Sequence, residues 1–118
     1  MKQPESKLQK ECVKWFQYQY PEYRKLLFHP TNGTKRTIKT AIYLKQQGVV
    51  AGVSDLIFLL PNKKFPFLCI EMKAGKNSQS EYQKEFAVAV EKVGGCYEVI
   101  RTFDAFKESI NEYIKNKG

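Results

Sequence analysis

The sequence predicts an α/β fold: a mixed central sheet flanked by helices on both sides. Amphipathic helical spacing alternates with short apolar runs in the order helix, strand, helix, hairpin, helix, strand, helix, an order that suits helices packed on a sheet. The two arms of the hairpin, Asp55-Leu56-Ile57-Phe58-Leu59-Leu60 and Phe65-Pro66-Phe67-Leu68-Cys69-Ile70-Glu71, are apolar at successive positions and so on both faces. Strands of that kind are central and need cover on each side. The length of 118 residues bounds the chain to one core, hence a single domain over residues 1–118.

Each element follows from its local pattern. A first helix is expected from about Pro4 to Tyr20, opened by Pro4 and closed by Pro21, with Leu8, Cys12, Trp15, Phe16 and Gln19 on one face. Tyr23 to Phe28 reads as a short strand, and His29-Pro30-Thr31-Asn32-Gly33 as a turn. Thr34 to Gln47 has helical spacing through Ile38, Ala41 and Ile42 and stops at Gly48. The hairpin turns through Pro61-Asn62-Lys63-Lys64, where Pro66 argues for an irregular turn end. A helix from about Ser80 to Val93 places Tyr82, Phe86, Val90 and Val93 on one face before Gly94-Gly95. Cys96 to Arg101 reads as a strand, and Phe103, Phe106, Ile110, Tyr113 and Ile114 mark a last amphipathic helix.

Composition narrows the function classes. Twenty Lys and Arg against twelve Asp and Glu give a net charge of +8, which favours a polyanionic partner, nucleic acid before membrane surface. Solubility alone is the plainer reading of the same charge. No apolar run approaches a membrane span, and the polar start MKQPESKLQKE lacks the core of a signal peptide. A cytoplasmic location is therefore expected. The three cysteines, Cys12, Cys69 and Cys96, are widely spaced among apolar residues and predict free buried thiols.

The hairpin carries the chemistry. If its turn centres on Lys63, antiparallel pairing sets Asp55 directly opposite Glu71, each eight residues from the centre. Side-chain alternation puts Lys73 on the same face as Glu71. Two carboxylates at the rim of an apolar sheet repel and resist desolvation unless they share a cation. Mg²⁺ or Mn²⁺ suits such a site, because a hard cation takes carboxylate oxygens and keeps waters for a phosphate substrate. The cation would activate a water, and Lys73 would orient it or stabilise transition-state charge. Against this stands the commonness of Glu-x-Lys, which recurs as Glu5-Ser6-Lys7 and often marks a surface ion pair. Glu5 itself projects between Cys12 and Phe16 on the apolar helix face. A cation partner, a place at the core's edge and simple complement to the helix dipole all fit it.

These residues resemble a known family. Gly52-Val53-Ser54-Asp55 followed by Glu71-Met72-Lys73 is similar to the PD-(D/E)xK nuclease pattern. The whole chain resembles the VRR-NUC (virus-type replication–repair nuclease) domain. Its landmarks occur in order: Pro4-Glu5 with Gln9, Asn32-Gly33, Gly48, Gly52-x-Ser54-Asp55, Ile70-Glu71-Met72-Lys73 and Ser80-x-x-Gln83. Ser54 stands where the pattern usually has proline. The resemblance implies a restriction-endonuclease-like fold and divalent-metal cleavage of DNA phosphodiesters. It implies Glu5, Asp55 and Glu71 as metal ligands with the Met72 carbonyl as a further one, Lys73 as the catalytic lysine, and Gln83 beside the site. Ser80-x-x-Gln83 is equally a capping box that explains itself. The resemblance also implies a phage or bacterial homodimer that cuts four-way DNA junctions, a symmetry suited to paired sites.

For the DNA itself, Asn32, Gly33, Lys35 and Arg36, with Lys39 and Lys45 further on, are candidate phosphate contacts, and Lys76 is the best placed beside the catalytic strand. His29, the only histidine, reads as structural. The alternatives are a sequence-preferring restriction-like or nicking nuclease, a DNA-binding module without catalysis, and a structural protein whose charge serves solubility.

Overall fold

The computed structural model describes residues 3–30 and 37–116. Its elements are α1 (Gln3–Gln19), a 3₁₀ helix (Pro21–Leu26), β1 (Leu27–Phe28), α2 (Ile38–Gln46), β2 (Leu56–Phe58), β3 (Leu68–Met72), α3 (Glu81–Lys92), β4 (Cys96–Ile100) and α4 (Phe103–Lys115). The strands form one sheet in the order β1-β2-β3-β4. β1 with β2 and β2 with β3 are antiparallel, while β3 with β4 is parallel. A parallel pair needs a crossover, and α3 supplies it. The expected mixed sheet with helices on both sides is present.

Strand alternation divides the sheet's two faces. Leu68, Ile70 and Met72 of β3, with Leu56 and Phe58 of β2, join Cys12 and Phe16 of α1 and Phe106, Ile110, Tyr113 and Ile114 of α4 in the main core. Phe58 meets Phe16 edge-on at 5.3 Å and Tyr113 at 5.8 Å. Burying a side chain of this size contributes roughly 1.5–3 kcal/mol. The opposite face carries Cys69 and Glu71 and, on β4, Tyr97, whose ring lies 6.2 Å from Phe86 of α3. That face has a thinner cover. Gly95 fits there because a Cβ would strike the Phe67 ring at 2.5 Å.

Side-chain caps set three helix starts, one of them the Ser80-x-x-Gln83 capping box expected from the sequence. Thr37, Ser80 and Thr102 cap α2, α3 and α4 by accepting N–H bonds three residues on. Such caps are each worth about 1 kcal/mol. Among the described residues no helix is long and apolar enough to cross a membrane.

Four expectations need correction. Tyr23 to Leu26 are not strand: Pro21 closes α1 and opens a 3₁₀ helix, leaving only Leu27 and Phe28 to pair. The hairpin strands are shorter than their apolar runs, because Phe65-Pro66-Phe67 lies outside the ladder and proline has no N–H to donate. The helix expected from Thr34 begins at Ile38, and Thr34 to Arg36 lie outside the described residues. Its apolar face does not cover the sheet, since Ile38 and Ile42 are 82% and 54% exposed. Finally, α3 is rotated from the predicted face. Tyr82 and Val93 are exposed while Phe86 and Val90 turn inward. At this end of α3 the Tyr82–Gln83 backbone packs directly on Gly52. Of the cysteines, Cys12 and Cys69 are buried and Cys96 is half-buried, all as free thiols.

Candidate active site

The hairpin turn sets the register that builds the site. Asn62 Oδ1 accepts the N–H groups of Lys64 (2.9 Å) and Phe65 (2.8 Å), and its amide donates to the Tyr113 carbonyl of α4. An Asx turn of this kind mimics a backbone turn and pins both arms. The ladder runs Phe58↔Leu68, Ile57↔Cys69, Leu56↔Ile70. One further step sets Asp55 opposite Glu71. Asp55 Oδ2 accepts the Met72 N–H at 2.7 Å, closing the open end of the hairpin. The Lys73 N–H bonds to the Ile100 carbonyl of β4. Strand alternation therefore turns the Met72 N–H and C=O the other way, toward β2 and Asp55.

Glu71 is fully buried, and its two oxygens are treated differently. Oε1 accepts the Tyr97 hydroxyl and the Gln79 amide, the latter at 3.2 Å. Among the described residues Oε2 has no hydrogen-bond donor, and it is ion-paired with the Lys73 ammonium 3.4 Å away. Asp55 is 7% exposed. Burial pushes its carboxyl above the ordinary range, the Met72 N–H bond opposes that shift, the nearby Glu71 adds to it, and His29 and Lys73 counter it. His29 Nδ1 donates to the Asp55 carbonyl at 2.5 Å and so fixes the backbone behind the carboxylate. Among the described residues two buried carboxylates here face one ammonium, a balance that suits an added cation.

Glu5 reaches this end of the sheet from a different direction. Its helix packs on the Ile70 and Met72 face, opposite to that of Glu71. Glu5 is buried, and Oε2 accepts the Ala74 N–H (3.1 Å) and the Asn77 side-chain amide (3.0 Å). From the far side, Arg101 donates to the Gly75 and Asn77 carbonyls. The loop after β3 is thus held between α1 and the end of β4. Among the described residues no three of His, Cys, Asp and Glu stand together as a metal-ligand group. The geometry unites Asp55, Glu71 and Lys73, and Glu5 of α1 holds the adjoining loop.

The VRR-NUC domain model matches residues 2–104. The chain belongs to the VRR-NUC family. A solved structure described as a VRR_NUC domain protein superposes with a TM-score of 0.84 at 26% identity, over 99% of this chain and 93% of that one. No curated protein matches the chain. A VRR-NUC domain has the PD-(D/E)xK nuclease fold, and membership implies a DNA nuclease.

Within this VRR-NUC domain the other expected positions fall as follows. Gln83 closes the capping box: its Oε1 accepts the Ser80 N–H at 2.8 Å while its own N–H bonds Ser80 Oγ. The glutamine that touches Glu71 is Gln79. Ser54, in the usual proline position, is buried and donates to the Leu56 carbonyl. Lys76 is exposed on the loop beside the site. Asn32, Gly33, Lys35 and Arg36 lie outside the described residues. Sequence reading missed Tyr97, Gln79, Asn77 and Arg101. Tyr97 had one usable cue, a hydroxyl on an otherwise apolar strand face; the others are loop residues whose partners are distant in sequence.

Proposed function

We propose that this VRR-NUC domain is a divalent-metal-dependent DNA endonuclease in which Asp55 and Glu71 hold Mg²⁺ or Mn²⁺ and Lys73 serves the chemical step. The observation that carries the reading is Glu71 Oε2: a buried carboxylate oxygen with no hydrogen-bond donor, opposite a second buried carboxylate and beside a lysine. An ion pair at 3.4 Å with no hydrogen bond leaves such an oxygen incompletely satisfied, so the donor set fits a hard cation. The Met72 carbonyl, turned toward Asp55, is a further ligand. Glu5 completes the set from α1, beside the loop it anchors, and Gln83 supports the site from the first turn of α3.

A bound cation would supply Lewis-acid polarisation of the phosphoryl group and a more acidic water. The chain's own groups do the rest. Asp55 and Glu71, fixed by Met72 and Tyr97, cost no reorganisation on binding. Lys73 stands where it can orient the attacking water or stabilise charge on the phosphorane-like transition state as the P–O bond breaks. Lys76, with Asn32, Gly33, Lys35 and Arg36, contacts the DNA backbone, in keeping with the +8 charge.

The substrate we favour is branched DNA, a four-way junction cut by a homodimer. Family resemblance supports this, as does the match between a two-fold dimer and a symmetric junction. The test is cleavage of labelled duplex, flap, splayed-arm and four-way DNAs with Mg²⁺ or Mn²⁺. Preferential, paired nicking of the four-way DNA is expected. Equal cutting of all four, or site-specific cutting of duplex, would replace junction selectivity with a general or sequence-preferring nuclease.

A further inference from the structure

The two oxygens of Glu71 are not equivalent, and the residues that make them so lie outside the family pattern. Tyr97 OH donates to Oε1, and the Gln79 amide donates both to Oε1 at 3.2 Å and to the Tyr97 oxygen at 3.3 Å. Oε1 is thereby occupied by two donors, while among the described residues Oε2 has no hydrogen-bond donor and pairs with the Lys73 ammonium. Both donors are themselves fixed. Tyr97 sits on β4 in the register Cys69↔Tyr97, one alternation from Glu71, with its ring against Phe86. Gln79 ends the loop held by Glu5 through Ala74 and Asn77 and by Arg101 through Gly75 and Asn77.

We propose that Tyr97 and Gln79 are positioning residues that hold Glu71 as a one-oxygen ligand and so set which cation the site accepts. This rests on the metal reading above. Mg²⁺ and Mn²⁺ take near-octahedral shells in which a carboxylate gives one oxygen, whereas Ca²⁺ accepts more ligands and often takes a carboxylate by both. For Glu71 to bind through both oxygens, Oε1 would have to shed the Tyr97 and Gln79 bonds, leaving buried donors unpaired. The clamp therefore works against Ca²⁺ and for the smaller ions.

The test is calorimetric titration of metal-free protein with Mn²⁺ and, separately, with Ca²⁺, for wild type, Tyr97→Phe and Gln79→Ala. Melting temperatures of the metal-free proteins report the fold. Tyr97→Phe keeps the ring packed on Phe86 and removes only the hydroxyl; Gln79→Ala, at a half-buried loop position, tests the second donor should the first variant fold poorly. Removing a hydrogen-bond partner of a ligand typically costs about 10–100-fold in metal affinity. Tyr97→Phe is expected to weaken Mn²⁺ binding about tenfold or more while Ca²⁺ binding holds or improves, narrowing the Mn²⁺ preference. Gln79→Ala should shift the ratio the same way by less. An unchanged Mn²⁺ to Ca²⁺ ratio in both variants overturns the clamp alone, including the case where both ions weaken equally, which is what a merely structural role produces. A wild type that takes up neither ion overturns the metal reading and the clamp with it.

Discussion

Gly52 couples the loop that carries Asp55 to the first turn of α3, and replacing it with alanine should show how tightly. Its φ is +84°, and a Cβ built there lies 2.4 Å from the carbonyl carbon and oxygen of Tyr82 and 2.8 Å from the Gln83 nitrogen. These are backbone atoms of a capped helix, so no side chain can swing aside. An L-residue in the left-handed region costs roughly 1 kcal/mol. Overpacking against fixed structure adds about 1–3 kcal/mol. The reduced freedom of the unfolded alanine chain adds a further destabilisation-free offset of about 0.4–1 kcal/mol in the protein's favour. The net expectation for Gly52→Ala is a loss of about 2–3 kcal/mol, out of a total of about 5–15. A domain of this length should then melt about 10 °C lower. Gly48→Ala is the internal control. Its φ is +103° but nothing lies within 4 Å of its Cβ, so only the backbone strain of about 1 kcal/mol, less the same unfolded-chain offset, applies. Thermal and urea melts of both variants measure the difference. If Gly52→Ala costs no more than Gly48→Ala, the close approach of α3 to the Asp55 loop is not what holds this region together.

Two further outcomes follow from the charges. Asp55→Asn keeps an oxygen for the Met72 N–H and removes a buried charge, so the metal-free variant should melt a few degrees above wild type, roughly a 1 kcal/mol gain, and cleave no DNA. Burial raises the Asp55 carboxyl, so the native state holds a proton that the unfolded state has released at intermediate pH. Wild-type stability then falls as pH rises from the unfolded carboxylate value through the folded one, and the advantage of Asp55→Asn should vanish below that window; a pH series of melts that shows the advantage growing in acid would contradict this. Glu5→Gln weakens charge-assisted bonds to Ala74 and Asn77 and should cost about 0.5–1.5 kcal/mol without metal. If Glu5 also serves the metal site, the same variant needs more Mn²⁺ for half-maximal cleavage, whereas an unchanged metal dependence would leave it only the loop-holding role.

The hairpin was legible because its information is local. Apolar arms on either side of a turn centred on Lys63 specify the register by counting, and period-two alternation then puts Glu71 and Lys73 on one face. The buried faces of α1 and α4 were legible for the same reason, through helical spacing. What escaped depended on partners distant in the chain. Nothing in Cys96 to Ile100 says that it pairs in parallel with β3, so Tyr97 could not be placed beside Glu71. The Ser80-x-x-Gln83 pattern drew attention to a glutamine that caps a helix, while the neighbouring Gln79 reaches the carboxylate. Apolar periodicity also misled. Ile38 and Ile42 of α2 have the spacing of a buried face yet remain exposed, because the sheet is covered by α1, α4 and α3. Glu5 had three open readings, and its bonds to Ala74 and Asn77 belong to a loop that no local pattern describes.

The most direct test of the proposed chemistry is single-turnover cleavage of a labelled DNA by wild type, Asp55→Ala, Glu71→Ala and Lys73→Ala, with DNA affinity measured alongside. Wild type should cut only when Mg²⁺ or Mn²⁺ is present and stop in excess chelator. The two carboxylate variants should bind DNA without cutting it. Lys73→Ala, which removes one of twenty basic residues, should bind nearly as wild type but cut orders of magnitude more slowly. Full cleavage in excess chelator, or by either carboxylate variant, would contradict the assignment of Asp55 and Glu71 as metal ligands.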